Sequence, residues 1–206
     1  MRHFIHSWVV VALAFAANVC QADEIDPVTD LLIPDTRLEI TRLKIFVSPE
    51  FLFVMGNSRN AAGYGVGGGV SLGLSAKWAV AASMRQSFYF GGTISPMFGQ
   101  IDLRGVYALT GTVLKEQRRV TLGRQTVLTA DSPRASSLQL HFSLAQYLFN
   151  ADAAIVQLVG AGAGLVYEFP WSGDWNFQVG ARIDAAINKQ YFLLPIQVSF
   201  GMSMWL

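Results

Sequence analysis

The chain has 206 residues and a formal net charge of +1, so no basic field points to nucleic acid. Only 14% of its residues are charged while 52% are hydrophobic, 12% are aromatic and 19 are glycine, whereas a soluble domain carries about 25% charged residues. A single cysteine excludes an internal disulfide framework.

In chain order, Met1, Arg2 and His3 give a positive start, Trp8 to Ala17 is an apolar run, and Cys20-Gln21-Ala22 offers small residues for cleavage. This order predicts a secretory signal over residues 1–22. Its apolar run is about half the ~20 residues a membrane-spanning helix needs. A lipoprotein site at Cys20 is disfavoured because Val19 precedes it. Residues 23–36 follow with Asp23, Glu24, Asp26, Asp30, Asp35, Pro27 and Pro34, the composition of a periplasmic tail. No later stretch approaches the ~18 consecutive apolar residues of a membrane helix. Lipid accepts only helices and closed barrels, because every backbone group must find an internal partner.

From residue 37 to 206 the pattern has period 2, as strands require. A weaker first strand runs near Leu43 to Met55. Val66, Val70, Leu72 and Leu74 then oppose Gly65, Gly67, Gly69, Ser71 and Gly73. Trp78, Val80, Ala82 and Met84 oppose Lys77, Ser83, Arg85 and Ser87. Ile101, Leu103, Tyr107 and Leu109 oppose Gln100, Asp102, Arg104 and Thr110.

Leu114 to Ala135 breaks the pattern with Lys115-Glu116-Gln117-Arg118-Arg119, and it reads as a long turn on the periplasmic side. Beyond it, Leu138, Leu140, Phe142 and Leu144 oppose Ser137, Gln139, His141 and Ser143. Val159 to Phe169 and Trp175 to Asn188 alternate in the same way, and Ile196 to Leu206 closes the series with apolar residues at even positions. Ser75-Ala76-Lys77, Asn150-Ala151-Asp152, Ser172-Gly173-Asp174 and Asn188-Lys189-Gln190 are turn-forming clusters between them.

These segments predict an all-β chain, a closed antiparallel up-and-down transmembrane barrel of eight strands. Ten strands are the alternative if the first segment splits at Ser48-Pro49 and Leu114 to Ala135 adds one more. A soluble periplasmic β-sandwich also alternates. Three features favour lipid. The segments exceed the 5–6 residues of a globular strand. Their polar faces are rich in Gly and Ser. Aromatics gather at segment ends, with Trp78, Phe88, Phe90, Tyr167, Phe169, Trp175 and Phe177 as the expected interface girdle.

A cleavable signal, alternating strands and an alternating apolar last strand resemble the small outer-membrane β-barrel superfamily, the OmpA-like transmembrane domains and OmpX-like proteins. The likeness covers roughly residues 37–206 and is architectural. Members commonly end on an aromatic residue, where this sequence reads Trp205-Leu206. The resemblance implies a bacterial outer-membrane location and contact with outer-membrane lipid and lipopolysaccharide. It also implies insertion by the barrel-assembly machinery, a monomer, and no cofactor.

Parity places Arg85, Asp102, Arg104, His141, Glu168, Gln178, Arg182 and Asp184 inside. An eight-stranded barrel is just wide enough for side chains to fill. Charges taken out of water must pair, so the expectation is a polar network filling the lumen, with Asp102/Arg104 and Arg182/Asp184 as parts. That gives a structural or small-channel-like role.

The enzymatic alternative is a lipid A deacylase or acyltransferase using His141 and Ser143, with Glu168 or Asp152 as the orienting acid. Metal binding has no basis, since His3 and His6 fall in the signal and His141 stands alone. Gly63 to Gly73 lacks the lysine and helix of a phosphate loop and reads as lumen packing.

Overall fold

The computed structural model describes residues 35–56, 60–90, 96–122, 125–131, 136–151 and 154–206. The predicted signal over 1–22 and most of the predicted tail over 23–36 lie outside them, as does Asp152.

Eleven strands form among the described residues. They are β1 (Asp35–Thr41), β2 (Leu43–Gly56), β3 (Ala61–Gly73), β4 (Trp78–Tyr89), β5 (Pro96–Ala108), β6 (Lys115–Leu122), β7 (Gln125–Asp131), β8 (Ser137–Ala151), β9 (Ala154–Ser172), β10 (Trp175–Ile187) and β11 (Phe192–Trp205). Eight of them, β2 to β5 and β8 to β11, close into one antiparallel barrel in the ring order β2-β3-β4-β5-β8-β9-β10-β11. Closure leaves no free edge, which lipid demands. A β-sandwich would need two open sheets, and the single closed ring excludes it.

Ten barrel strands are excluded by two features. β2 runs unbroken through Ser48 and Pro49, with Pro49 opposite Val66 of β3. β5 pairs directly with β8, Asp102 opposite Ala145, so nothing inserts between them. The stretch predicted as a long turn is instead the β6–β7 hairpin. It pairs with β1 in a separate three-stranded sheet, Arg37 opposite Arg119. This sheet lies at the barrel end where the chain enters β2 and leaves β5. β1 and β6 together carry Asp35, Arg37, Glu39, Lys115, Glu116, Arg118 and Arg119, a charge density that a lipid-facing strand does not bear.

Tight connections fix the register. Ser75 Oγ accepts from the Trp78 amide at 3.1 Å. Gly173 sits at φ +52° in the β9–β10 turn, a left-handed conformation that favours glycine. Asn188 Oδ1 accepts from the amides of Gln190 and Tyr191, both at 2.8 Å, the side-chain mimic of a backbone turn.

The two faces of the ring differ in kind. Val47, Phe51, Phe53, Met84, Leu103, Leu144, Ile183 and Phe200 point outward and are exposed, Leu144 by 69%. Aromatic rings touch at both ends. Near the chain termini, Trp78 meets Tyr107 with centroids 4.7 Å apart, and Phe177 meets Trp171 at 4.7 Å and Phe169 at 5.7 Å. Tyr167 continues that patch at 6.0 Å from Phe169, and Trp175 is exposed beside it. At the far end Tyr64 meets Phe88 at 6.1 Å and Phe90 at 5.7 Å. Trp78 and Phe88 sit about ten residues apart on β4, the length a tilted strand needs to cross the hydrocarbon.

Within the eight barrel strands the only Lys, Arg, Asp and Glu residues are Lys44, Glu50, Arg85, Asp102, Arg104, Glu168, Arg182 and Asp184. All eight are buried in the lumen, four of each sign, and the outer face carries none.

Candidate functional site

The lumen is filled in layers. Toward the far end, Leu52, Val54, Phe98, Tyr147, Leu158 and Leu193 form a buried apolar cluster. Nearer the termini, Phe46, Ala79, Ala81, Val106, Ala108 and Val113 form a second. Charged and amide side chains occupy the middle.

Asp102 is the hub of that middle layer. Its Oδ1 accepts from Ser83 Oγ and Arg104 Nε, both at 2.7 Å. Its Oδ2 accepts from Arg182 Nη1 at 2.7 Å, Gln100 Nε2 at 2.8 Å and Arg104 Nη2 at 3.2 Å. Arg182 donates its remaining nitrogens to Asp184 Oδ1 and Ser143 Oγ, each at 2.7 Å. Arg85 Nη1 donates to Glu50 Oε2 at 2.9 Å and also to Gln197 Oε1. Gln197 Nε2 donates to Gln100 Oε1 at 2.7 Å, joining the two halves. Side chains from β2, β4, β5, β8, β10 and β11 thus share one hydrogen-bonded network.

The other two strands make room for it. β3 and β9 stand four places apart round the ring, on opposite walls. Both present glycine inward where long side chains lie across them. A Cβ at Gly162 of β9 would collide with the Asp184 carboxylate. A Cβ at Gly69 of β3 would come within 2.8 Å of the Phe46 ring.

Arg85, Asp102, Arg104, Arg182 and Asp184, each placed inside by sequence parity, meet in this network. Glu168 lies apart from it, nearer the termini, where Lys44 Nζ donates to Oε2 at 2.6 Å and Asn176 Nδ2 to Oε1 at 3.0 Å. Lys44 also lies over the Trp205 ring at 5.1 Å. Gln178 and His141 are half-buried and line a cavity below the network.

His141 and Ser143 do not form a nucleophile–base pair. His141 Nε2 contacts Gln139 Oε1 at 3.2 Å. Ser143 Oγ accepts from Arg182 and donates to the Gly162 carbonyl at 3.3 Å. The hydroxyl therefore faces a guanidinium and no base. Glu168, the suggested orienting acid, is committed to Lys44 and Asn176. This arrangement holds charges in place rather than transferring protons.

The network members Glu50, Ser83, Gln100 and Gln197 were missed, as was Lys44 of the separate pair with Glu168. Lys44 and Glu50 sit on β2, where Phe46, Leu52 and Val54 also face inward and blur the alternation. Gln100 and Gln197 lie on the polar faces of their strands, and that parity was the available signal.

No family model matches the chain, and no curated protein does. Among solved structures, Neisserial surface protein A aligns with a TM-score of 0.56 at 8% identity, over 82% of this chain and 99% of that one. The N-terminal β-barrel domain of Pseudomonas aeruginosa OprF aligns at 0.42 and 14% identity, covering 76% of this chain and 96% of its own. Ail, the attachment invasion locus protein of Yersinia pestis, aligns at 0.37 and 9% identity, covering 80% and 99%. With its closed ring of eight antiparallel strands, an apolar outer face and a charge-bearing interior, this chain shares the eight-stranded β-barrel fold of Neisserial surface protein A.

Proposed function

We propose that the protein is a monomeric integral barrel of the bacterial outer membrane, with a lumen sealed by its own side chains, and that its role is structural rather than solute-conducting. The single observation that carries this reading is the sorting of charge. All eight charged residues of the barrel strands point inward, four of each sign. An Arg or Lys on a lipid-facing strand costs about 2–4 kcal/mol at the midplane, and an Asp or Glu somewhat less. A soluble barrel would have the opposite preference. The internal set is paired, as burial requires. Apolar clusters on both sides of the network support a seal rather than a water-filled channel.

On this reading the outward aliphatic band contacts outer-membrane lipid and lipopolysaccharide, and the barrel-assembly machinery inserts the chain. The test is expression of the full chain followed by membrane fractionation and gel electrophoresis without and with boiling. Recovery in the outer membrane with a second, slower or faster band only after boiling is expected. Recovery as a soluble periplasmic species contradicts the reading.

A further inference from the structure

The lumen holds one feature that a seal does not need. Between the ionic layer and the Lys44–Glu168 pair lies a cavity of about 40 Å³. Lys44, Arg85, Arg104 and Arg182 line it together with His141. Of the four carboxylates in the lumen, Glu50, Asp102, Glu168 and Asp184, none lines it. The interior is neutral as a whole, and each of the four cations is paired with a carboxylate that lies outside this lining.

The remaining polar lining consists of serine hydroxyls and glutamine amides, all able to donate hydrogen bonds. Arg85 is 8% exposed, and its Nε has no hydrogen-bond partner. Arg104 and Arg182 share the Asp102 carboxylate, and Arg85 Nε lies 3.9 Å from its Oδ2, so three guanidinium groups crowd one carboxylate. Like charges held together in a low-dielectric interior are costly, and an anion among them offsets the repulsion.

We propose that this cavity is a binding site for a small inorganic anion of about halide size. It is held by Arg85 and Arg104, with Lys44 and Arg182 completing the positive surround. The inference rests on the closed-lumen reading, since an open channel would place these groups in bulk water.

The test uses the full barrel refolded in detergent, with thermal unfolding followed by loss of the compact gel form. Sodium chloride and sodium phosphate are compared with sodium gluconate at matched ionic strength. A site for a small ion predicts a saturable rise in the midpoint with chloride over gluconate and none with phosphate, and an equal rise with phosphate overturns the small-ion assignment. Gln178→Glu places a carboxylate in the cavity wall and abolishes the chloride-dependent rise. Crystals grown in sodium bromide show an anomalous peak within contact of Arg85 and Arg104.

Equal midpoints in chloride and gluconate overturn the proposal. So does a chloride effect undiminished in Gln178→Glu, which marks an ion acting at the surface. If Gln178→Glu does not fold, the bromide position decides: a peak in the cavity supports the site and no peak there overturns it. A barrel that conducts no current yet shows no anion effect defeats this site alone. A conducting pore defeats the closed lumen beneath it.

Discussion

Arg182 of β10 reaches across the lumen to Asp102 of β5, Nη1 to Oδ2 at 2.7 Å, while its Nε holds Asp184 on its own strand at 2.7 Å. One guanidinium therefore ties walls that are three places apart in the ring. Asp102, only 2% exposed, also receives Arg104, Ser83 and Gln100. Removing its charge leaves Arg104 and Arg182 buried without their shared partner. Losing one member of a buried pair costs about 3–5 kcal/mol. Asp102→Ala is expected to lower unfolding free energy by that amount, read from urea titration of the barrel in lipid vesicles. Asp102→Asn keeps part of the hydrogen bonding and is expected to lose less.

The glycines of β9 carry a second prediction. Gly162 lies where the Asp184 carboxylate crosses the wall, and a methyl group there collides with it. Asp184 is 1% exposed and fixed by Arg182, so it cannot swing away without breaking that pair. Gly162→Ala is expected to destabilise the barrel by about 1–3 kcal/mol, the usual cost of overpacking. Gly105 has no neighbour within 4 Å of an added Cβ. Gly105→Ala is expected to be near neutral in the same titration.

The outer face gives a third. Leu144 is central in β8 and 69% exposed, yet Ser143 beside it is buried in the lumen. Leu144→Arg is expected to cost about 2–4 kcal/mol in vesicles. In a soluble barrel the same change at so exposed a site would fall within about 0.5 kcal/mol.

The β6–β7 hairpin gives a fourth. It joins the barrel through the buried Lys115, which pairs with Asp174, and through Leu114, which packs over Gly73. β5 and β8 pair without it. Replacing residues 116–135 with a short glycine-containing turn is expected to leave heat-modifiable migration intact. Loss of the compact form on that deletion would show that β1, β6 and β7 are needed for closure.

How far the sequence discloses this fold depends on how cleanly each strand separates its two environments. β10 alternates exposed and buried without exception from Val179 to Ile187, so its faces are legible residue by residue. The pairs Asp102/Arg104 and Arg182/Asp184 are legible too, because residues two apart on a strand share a face. Contacts between walls, such as Arg85 with Glu50 and Gln197, depend on strand stagger round the ring, which no single segment encodes. β2 is obscured because its lumen side is apolar toward the far end, where Leu52 and Val54 join the plug. β1 offers only Leu38 and Ile40 as an alternating apolar pair and β6 only Val120 and Leu122, too short to signal a strand, and their pairing joins the junction of the expected tail and barrel to a stretch read as a turn.

The claim beneath all of these is that a paired, neutral set of buried charges between two apolar clusters closes the lumen. Single-channel recording of the full barrel in planar lipid bilayers tests it most directly. No stable conductance is expected in the wild-type barrel, and current is expected to appear when Asp102 and Arg182 are both replaced by alanine. A steady, nanosiemens-scale open channel in the wild-type protein would contradict it.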